Sequence, residues 1–328
     1  MSRKLLFVYN PLSGKGQIKN KLSDIVDLMV KNGYEVTIHP TQEKGDAYNQ
    51  IVNMGEDYSL VVCSGGDGTL DETVTGMRES GKNLPIGYIP AGSTNDFANS
   101  LKIPKRIMTA AQTAVEGVEF SCDLAEFNGQ TYVYVAAFGV LTDVSYATKQ
   151  ELKNVLGHAA YFVESAKRWH GLDEIAMRVE YEDKVIEDVF CYGMVSNSNY
   201  IAGVKTNFIK DVGLNDGKYE VVLIKTPKNP VQLNRILSGM INIKEETELI
   251  VCFKTDHVTF HTEEKLPWTL DGEFGGEHTD VTIDVISDGM KIKVKEIPHP
   301  VHPKNIPLLS ARRGTSFPPS LKNILHLS

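Results

Sequence analysis

Long apolar runs are missing from this chain. No stretch approaches the ~18 apolar residues that a membrane-spanning helix needs. The run from Tyr132 to Leu141 is ten residues and ends at Thr142 and Asp143. The apolar part of "MSRKLLFVYNP" is too short for a signal peptide and reads as a buried strand. Cysteine is scarce: Cys63, Cys122, Cys191 and Cys252 lie far apart with no CxxC pair. That excludes a disulfide framework and a zinc site, and it fits a reducing compartment. Of nine histidines only His299 and His302 are close, and no Cys or Asp cluster accompanies them. Basic residues are outnumbered, 34 against 42 acidic, for a net charge of −8. Such a chain is a poor general nucleic-acid binder, and any membrane contact must come from a local basic patch. There is no internal repeat and no low-complexity block.

What is present is ordinary for a globular protein: 41% apolar and 23% charged residues over 328 positions. At ~150 residues per domain this is about two domains. Up to about residue 120, apolar runs alternate with helical stretches. "KLLFVYN", "YEVTIHP", "DYSLVVCSGG" and "PIGYIP" read as strands. Lys15 to Lys31 reads as a helix with Ile18, Leu22, Ile25 and Met29 on one face. "GDAYNQIVNMG", "LDETVTGMRE" and "NDFANSLKI" are further helical segments. This alternation predicts an α/β domain with an open, doubly wound parallel sheet over residues 1–122. From Asp123 to Ile297 the runs are short, β-branched and alternating, among them "TYVYVAAFGV", "VIEDVFCYGMVS", "GKYEVVLIK", "DVTIDVIS" and "MKIKVKEI". They predict a mostly antiparallel β-sandwich domain over 123–297, interrupted by a helical insert from Ala159 to His170. The Pro-rich stretch 298–328 reads as a tail that packs on the surface or is partly disordered.

Three Gly-containing loops fall at the C-terminal ends of predicted parallel strands, where open α/β sheets bind ligands. They are "NPLSGKG" (Asn10 to Gly16), "SGGDGT" (Ser64 to Thr69) and "PAGSTND" (Pro90 to Asp96). Each precedes a helix and so offers free backbone N–H groups and a positive dipole end. Thr69, Ser93 and Thr94 add hydroxyls. Together they predict a polyphosphate cradle with the active site in the cleft between the domains. Asp67 lies among the glycines. A carboxylate repels phosphate, so it acts there through a divalent cation or water, or else it only closes a turn. No loop matches G-x-x-x-x-G-K-[ST], and no G-x-G-x-x-G opens the first helix.

"NPLSGKG", "GGDGTLDE" and "PAGSTNDFA", in this order and spacing, resemble the catalytic core of the diacylglycerol kinase family, with the soluble bacterial lipid kinases and the sphingosine and ceramide kinases. "GLNDGKYEVVLI" and "LDGE" extend the resemblance over roughly residues 3 to 297. It implies an ATP-dependent lipid kinase that uses Mg²⁺. By the resemblance, nucleotide contacts fall to Asn10, Ser13 and Gly14, to Thr41, to Gly65, Gly66, Gly68, Thr69 and Glu72, and to Gly92, Ser93, Thr94 and Asn95. Asp216, with the carbonyls of Gly213 and Lys218, matches a structural Mg²⁺ site linked through water to the loop aspartate, here Asp67. Asp271 or Glu273 of "LDGE" is the candidate general base; the plainer reading of those four residues is a hairpin turn. The chain departs from the family's pattern at Asn99, where Arg is common, at Asp71, where Asn is frequent, and at His158 and Phe274.

The implied partner is a lipid substrate at a membrane surface, with no nucleic acid; a homodimer stays open. The implied location is cytoplasmic, peripheral at the inner membrane surface. Lys15, Lys167 and Arg168, the last two beside Trp169, are the candidate lipid-facing cations; the alternative is that the aromatic residues near them are core. A kinase of a soluble acceptor, as in NAD kinases, and a non-catalytic nucleotide- or lipid-binding regulator are the competing functions.

Overall fold

Leu5 to Tyr9 are five consecutive buried apolar residues, the pattern of a strand covered on both faces. In the computed structural model, which describes residues 3–139, 174–198, 200–201, 204–205, 212–241 and 248–298, they belong to β1 (Arg3–Tyr9). This strand lies between β2 (Tyr34–Pro40) and β3 (Tyr58–Gly65), and β4 (Ile86–Pro90) pairs with β3; all are parallel. The helices are α1 (Leu22–Lys31), α2 (Asp46–Asn53), α3 (Asp67–Glu79), α4 (Asp96–Ser100) and α5 (Ile107–Glu116). Two helix pairs pack together, α2 with α3 and α1 with α5. The helix expected from Lys15 starts later. Ser13–Lys21 is a 3₁₀ segment, and the α-helix begins only at Leu22. Gly14 and Gly16 have φ of +56° and +72°, which an α-helix does not accept.

The C-terminal part is mostly β. Its strands are β5 (Val118–Phe127), β6 (Gln130–Tyr132), β7 (Val135–Gly139), β8 (Ile175–Tyr181), β9 (Lys184–Ser196), the short pair β10 (Tyr200–Ile201) and β11 (Val204–Lys205), β12 (Tyr219–Lys225), β13 (Ile250–Thr255), β14 (His257–Leu270) and β15 (Glu273–Val294). A helix that the alternation did not foretell, α6 (Pro230–Ile241), lies between β12 and β13. "DVTIDVIS" and "MKIKVKEI" are one strand, β15, with a register shift between Ile286 and Met290. "TYVYVAAFGV" is conversely split at Val133 and Tyr134, for a reason given below.

The two kinds of sheet are not separate sheets. Ile292 of β15 pairs in parallel with Ile86 of β4, and the described strands apart from β10 and β11 join into one sheet of 13 strands. Long strands change partners along their length: β14 meets β8 over Thr259–Thr262 and β7 over Trp268–Leu270. The division expected at 122/123 falls inside β5, and one core cluster runs from Leu5 through Leu124 to Val222 and Ile292. A second core cluster belongs to the β part alone. There Trp268 meets Phe127, Phe138 and Phe260 edge-on at 5.1, 4.7 and 5.3 Å between ring centroids. The helical insert, Lys167, Arg168, His158 and the tail beyond Pro298 lie outside the described residues.

Candidate active site

The three loops meet at the C-terminal ends of β1, β3 and β4. Asn10 donates its backbone N–H to the Ser64 carbonyl at 2.8 Å, and Ala91 donates to Gly65 at 2.7 Å. Two glycines permit this closeness. A Cβ on Gly14 would stand 2.2 Å from the Ala91 carbonyl oxygen, at a positive φ besides. A Cβ on Gly92 would stand 2.6 Å from the Cα of Gly66. Larger residues would force the loops apart. Between the loops and the β hairpin opens a cavity of about 390 Å³. Asn10, Ser13, Thr41, Gly66, Gly68, Thr69, Glu72 and Glu273 line it, as do Asp71 and Lys44.

The remaining predicted loop residues stand one step behind and build the cradle. Asn95 is held left-handed at φ 52°; its side-chain oxygen accepts the Gly92 N–H at 2.9 Å and its amide donates to the Gly92 carbonyl at 2.8 Å. Asn99, where a cation was the common residue, donates to the Thr94 carbonyl at 3.0 Å and supports the same loop. Ser93 is exposed. Glu72 has a structural task as well: its oxygens accept the N–H groups of Gly45 (2.8 Å) and Ala47 (3.2 Å) at the start of α2. Thr41 is fixed by its N–H to the Tyr9 carbonyl at 2.9 Å.

Asp67 is the first residue of α3 and faces the third loop. Its Oδ2 accepts from the Thr94 hydroxyl at 3.2 Å and from the Asp96 N–H at 3.4 Å. Its Oδ1 is buried and has no donor. Burial pushes its carboxyl up, and Thr94 and the neighbouring N–H groups pull it back. An anionic oxygen without a partner, beside N–H groups that suit phosphate, fits a divalent cation or its water.

"LDGE" is a two-residue hairpin turn between β14 and β15, with Leu270 opposite Glu273 and φ of 50° and 88° at Asp271 and Gly272. That is the Asp-Gly type I′ geometry. The turn does more than reverse the chain. Asp271 is 8% exposed, and its carboxylate accepts the N–H groups of Val133 (2.6 Å), Tyr134 (2.9 Å) and Val135 (2.9 Å). Val133 and Tyr134, so engaged, leave strand pairing and split the run into β6 and β7, which opens at Val135. Burial pushes Asp271 up to about 6 against these bonds. Asp71 sits against it and is pushed well above the carboxylate range by burial first, then by the Asp271 charge. Asp271 has three donors to hold its charge, so Asp71 is the more strongly raised of the two. Glu273 is exposed and paired with Lys44 at 2.9 Å. Asp71 and Lys44 were not among the candidates; the signals were the exchange of a frequent Asn for Asp71 and the place of Lys44 three residues after Thr41.

Asp216 lies apart from this cluster, in the turn before β12. Its Oδ1 accepts the Lys218 N–H at 3.2 Å, and its Oδ2 takes the Lys254 ammonium at 2.8 Å. The nearby Asp123 is 1% exposed and uses both oxygens on the N–H groups of Gly217 (2.7 Å) and Asp288 (3.0 Å). Among the described residues no group of three or more His, Cys, Asp and Glu side chains is placed to hold a metal ion. A carboxylate already occupied by an ammonium does not fit the structural Mg²⁺ expected at Asp216, Gly213 and Lys218.

A parallel α/β sheet with Gly loops converging beside an unsatisfied aspartate, joined to a β-rich part, is an arrangement that suits phosphate binding. The comparisons with known proteins narrow this. The model of the diacylglycerol kinase catalytic domain matches residues 4–127. A diacylglycerol kinase from Staphylococcus carnosus (strain TM300) is 31% identical over 281 residues, covering 84% of this chain and 90% of the relative. One from Bacillus subtilis (strain 168) is 30% identical over 277 residues, 84% and 91% of the two chains. A crystal structure of a diacylglycerol kinase from Bacillus anthracis str. Sterne superposes with TM-score 0.70 at 22% identity, over 89% of this chain and 97% of that one, and speaks for the fold. Another from the same organism reaches TM-score 0.77 at 25% identity, over 89% and 95%. The chain belongs to the diacylglycerol kinase family.

Proposed function

We propose that this protein is an ATP-dependent lipid kinase that transfers the γ-phosphoryl group to the hydroxyl of diacylglycerol or a related lipid. The observation that carries the reading is the convergence of the three loops on Asp67, whose Oδ1 is buried without a donor. The loop N–H groups bind and orient the phosphates, and positioning supplies most of the catalysis. Magnesium bound with the nucleotide neutralises phosphate charge; Asp67 is the residue that fits beside it, directly or through water. The acceptor hydroxyl gives its proton to a carboxylate at the hairpin. Asp271 suits this better than Glu273, because burial brings it to about 6, close to the pH at which a base must work. Glu273 keeps an ordinary exposed setting and its ion pair with Lys44.

A lipid acceptor requires contact with a membrane surface. Among the described residues no helix is long and apolar enough to cross a membrane. We place the enzyme at the cytoplasmic face as a peripheral protein. Lys167, Arg168 and the Lys15 side chain, the candidate lipid-facing cations, lie outside the described residues. The division into a nucleotide domain up to residue 122 and a lipid domain from 123 to 297 is part of the same proposal.

The test is an assay with radiolabelled ATP against diacylglycerol, phosphatidylglycerol, ceramide and a sphingoid base in mixed micelles, with NAD alongside. Label in a lipid product is expected. Label in NAD alone would make this a kinase of a soluble acceptor, and ATP binding without any transfer would make it a regulator.

A further inference from the structure

We infer that Lys254 is the resident cation of the "NDG" turn: its ammonium, not a divalent metal ion, neutralises Asp216 and Glu220 and holds the turn against the sheet.

Lys254 stands directly opposite Glu220 in the β12–β13 register, so the sheet itself delivers the ammonium to this place. Its Nζ lies 2.8 Å from Asp216 Oδ2 and 3.0 Å from Glu220 Oε1. Glu220 is 1% exposed, and neither of its oxygens receives a directed hydrogen bond, so the contact is one of charge. The side chain of Lys254 is 28% exposed, and its ammonium contacts both carboxylates. The turn is tied down from its other side by Asp123, through the Gly217 N–H.

A magnesium ion binds oxygen at about 2.1 Å and keeps near-octahedral surroundings. Placed on Asp216 Oδ2, it would share that oxygen with an ammonium and repel it at close range. Lys254 would have to swing out, and the carboxylate of Glu220 would stay buried without its cation. Removing one partner of a buried pair is strongly destabilising. The ammonium is also part of the chain, so it competes with the ion at a high effective concentration. Gly213 fits the same arrangement: a Cβ there would stand 2.5 Å from Asp216 Oδ2 and push the carboxylate off Lys254.

The experiment is thermal unfolding without nucleotide, with EDTA and with rising millimolar Mg²⁺ at constant ionic strength. The unmodified protein is expected to melt at one temperature throughout. Lys254→Met should melt several degrees lower. Adding Glu220→Gln to it should restore part of the loss, because the buried charge is gone. With the ammonium removed, Asp216 becomes available, and the Lys254→Met/Glu220→Gln protein should gain a Mg²⁺-dependent rise that Asp216→Asn abolishes. The double variant carries the test if Lys254→Met alone does not fold. A saturable Mg²⁺-dependent rise in the unmodified protein that Asp216→Asn removes would overturn the inference. So would a double variant that shows no Mg²⁺ response, or a Lys254→Met protein that melts like the unmodified one. The readout is stability without nucleotide, so it stands or falls independently of lipid kinase activity.

Discussion

Two acidic clusters in this molecule are built alike and neutralised differently. At the loops and the hairpin, Asp67 and Asp71 come from the first turns of α3 and Asp271 from the β14–β15 turn, and among the described residues none of them forms an ion pair with Lys, Arg or His. At the turn before β12, Asp216 and Glu220 share Lys254, and Asp123 is saturated by backbone N–H groups. The second cluster has its cation within the chain, in Lys254. The first has no cation of its own among the described residues: Asp67 has an oxygen without a donor, and burial and mutual repulsion raise the carboxyls of Asp71 and Asp271. Buried carboxylates that a fold leaves without a cation are candidates for a ligand or a reaction to supply the partner. The contrast therefore separates chemistry from architecture within one chain.

The sharpest way to break the contrast is Asp67→Ala. If this carboxylate organises the charge at the phosphates, turnover should fall by ~10²-fold or more while the circular dichroism and melting temperature stay near those of the parent. Turnover like the parent's would reduce Asp67 to a turn residue. Asp271→Asn comes next. It keeps the shape but loses the base and one acceptor for the three N–H groups, so kcat should drop by about 10²-fold with little change in ATP affinity. Stability should fall as well, since an amide satisfies fewer of those donors. Glu273→Gln should change kcat far less; an equal or larger loss there would move the base to Glu273.

Asp71 gives a pH signature. Its folded carboxyl is raised well above the unfolded value, chiefly by burial and then by Asp271. From about pH 4 upward the folded state thus binds more protons than the unfolded one, and stability falls as pH rises through that window. Asp71→Asn places a donor next to Asp271 that does not titrate. The variant should melt a few degrees higher at pH 8 and lose part of the slope on the alkaline side, the rest belonging to Asp271 and Glu220, raised to about 6 and about 7. A slope unchanged by the substitution would show that the proton is held elsewhere. The smallest effect belongs to the pair Lys44–Glu273, whose side chains are 80% and 59% exposed. Lys44→Ala should cost about 0–1 kcal/mol at low salt and nothing measurable at high salt, followed by chemical denaturation.

Local pattern determined much of this protein. The unbroken apolar runs of β1, β3 and β4 mark strands covered on both faces, and Gly-rich segments at their ends mark the three convergent loops; both signals need only neighbours in sequence. The Asp-Gly pair in "LDGE" likewise announces its hairpin. Tertiary structure decided what local pattern cannot carry. The helix expected from Lys15 gives way to a 3₁₀ segment because Gly14 must approach Ala91, some 77 positions away. The run "TYVYVAAFGV" splits because Asp271, 137 and 138 positions further on, takes the N–H groups of Tyr134 and Val133. The parallel and antiparallel strands merge because Ile292 pairs with Ile86. Lys254 reaches Asp216 because the sheet register sets it across from Glu220. In each case the deciding partner is distant in sequence and close in space, and the short range of hydrogen bonds and ion pairs makes closeness in space the quantity that counts.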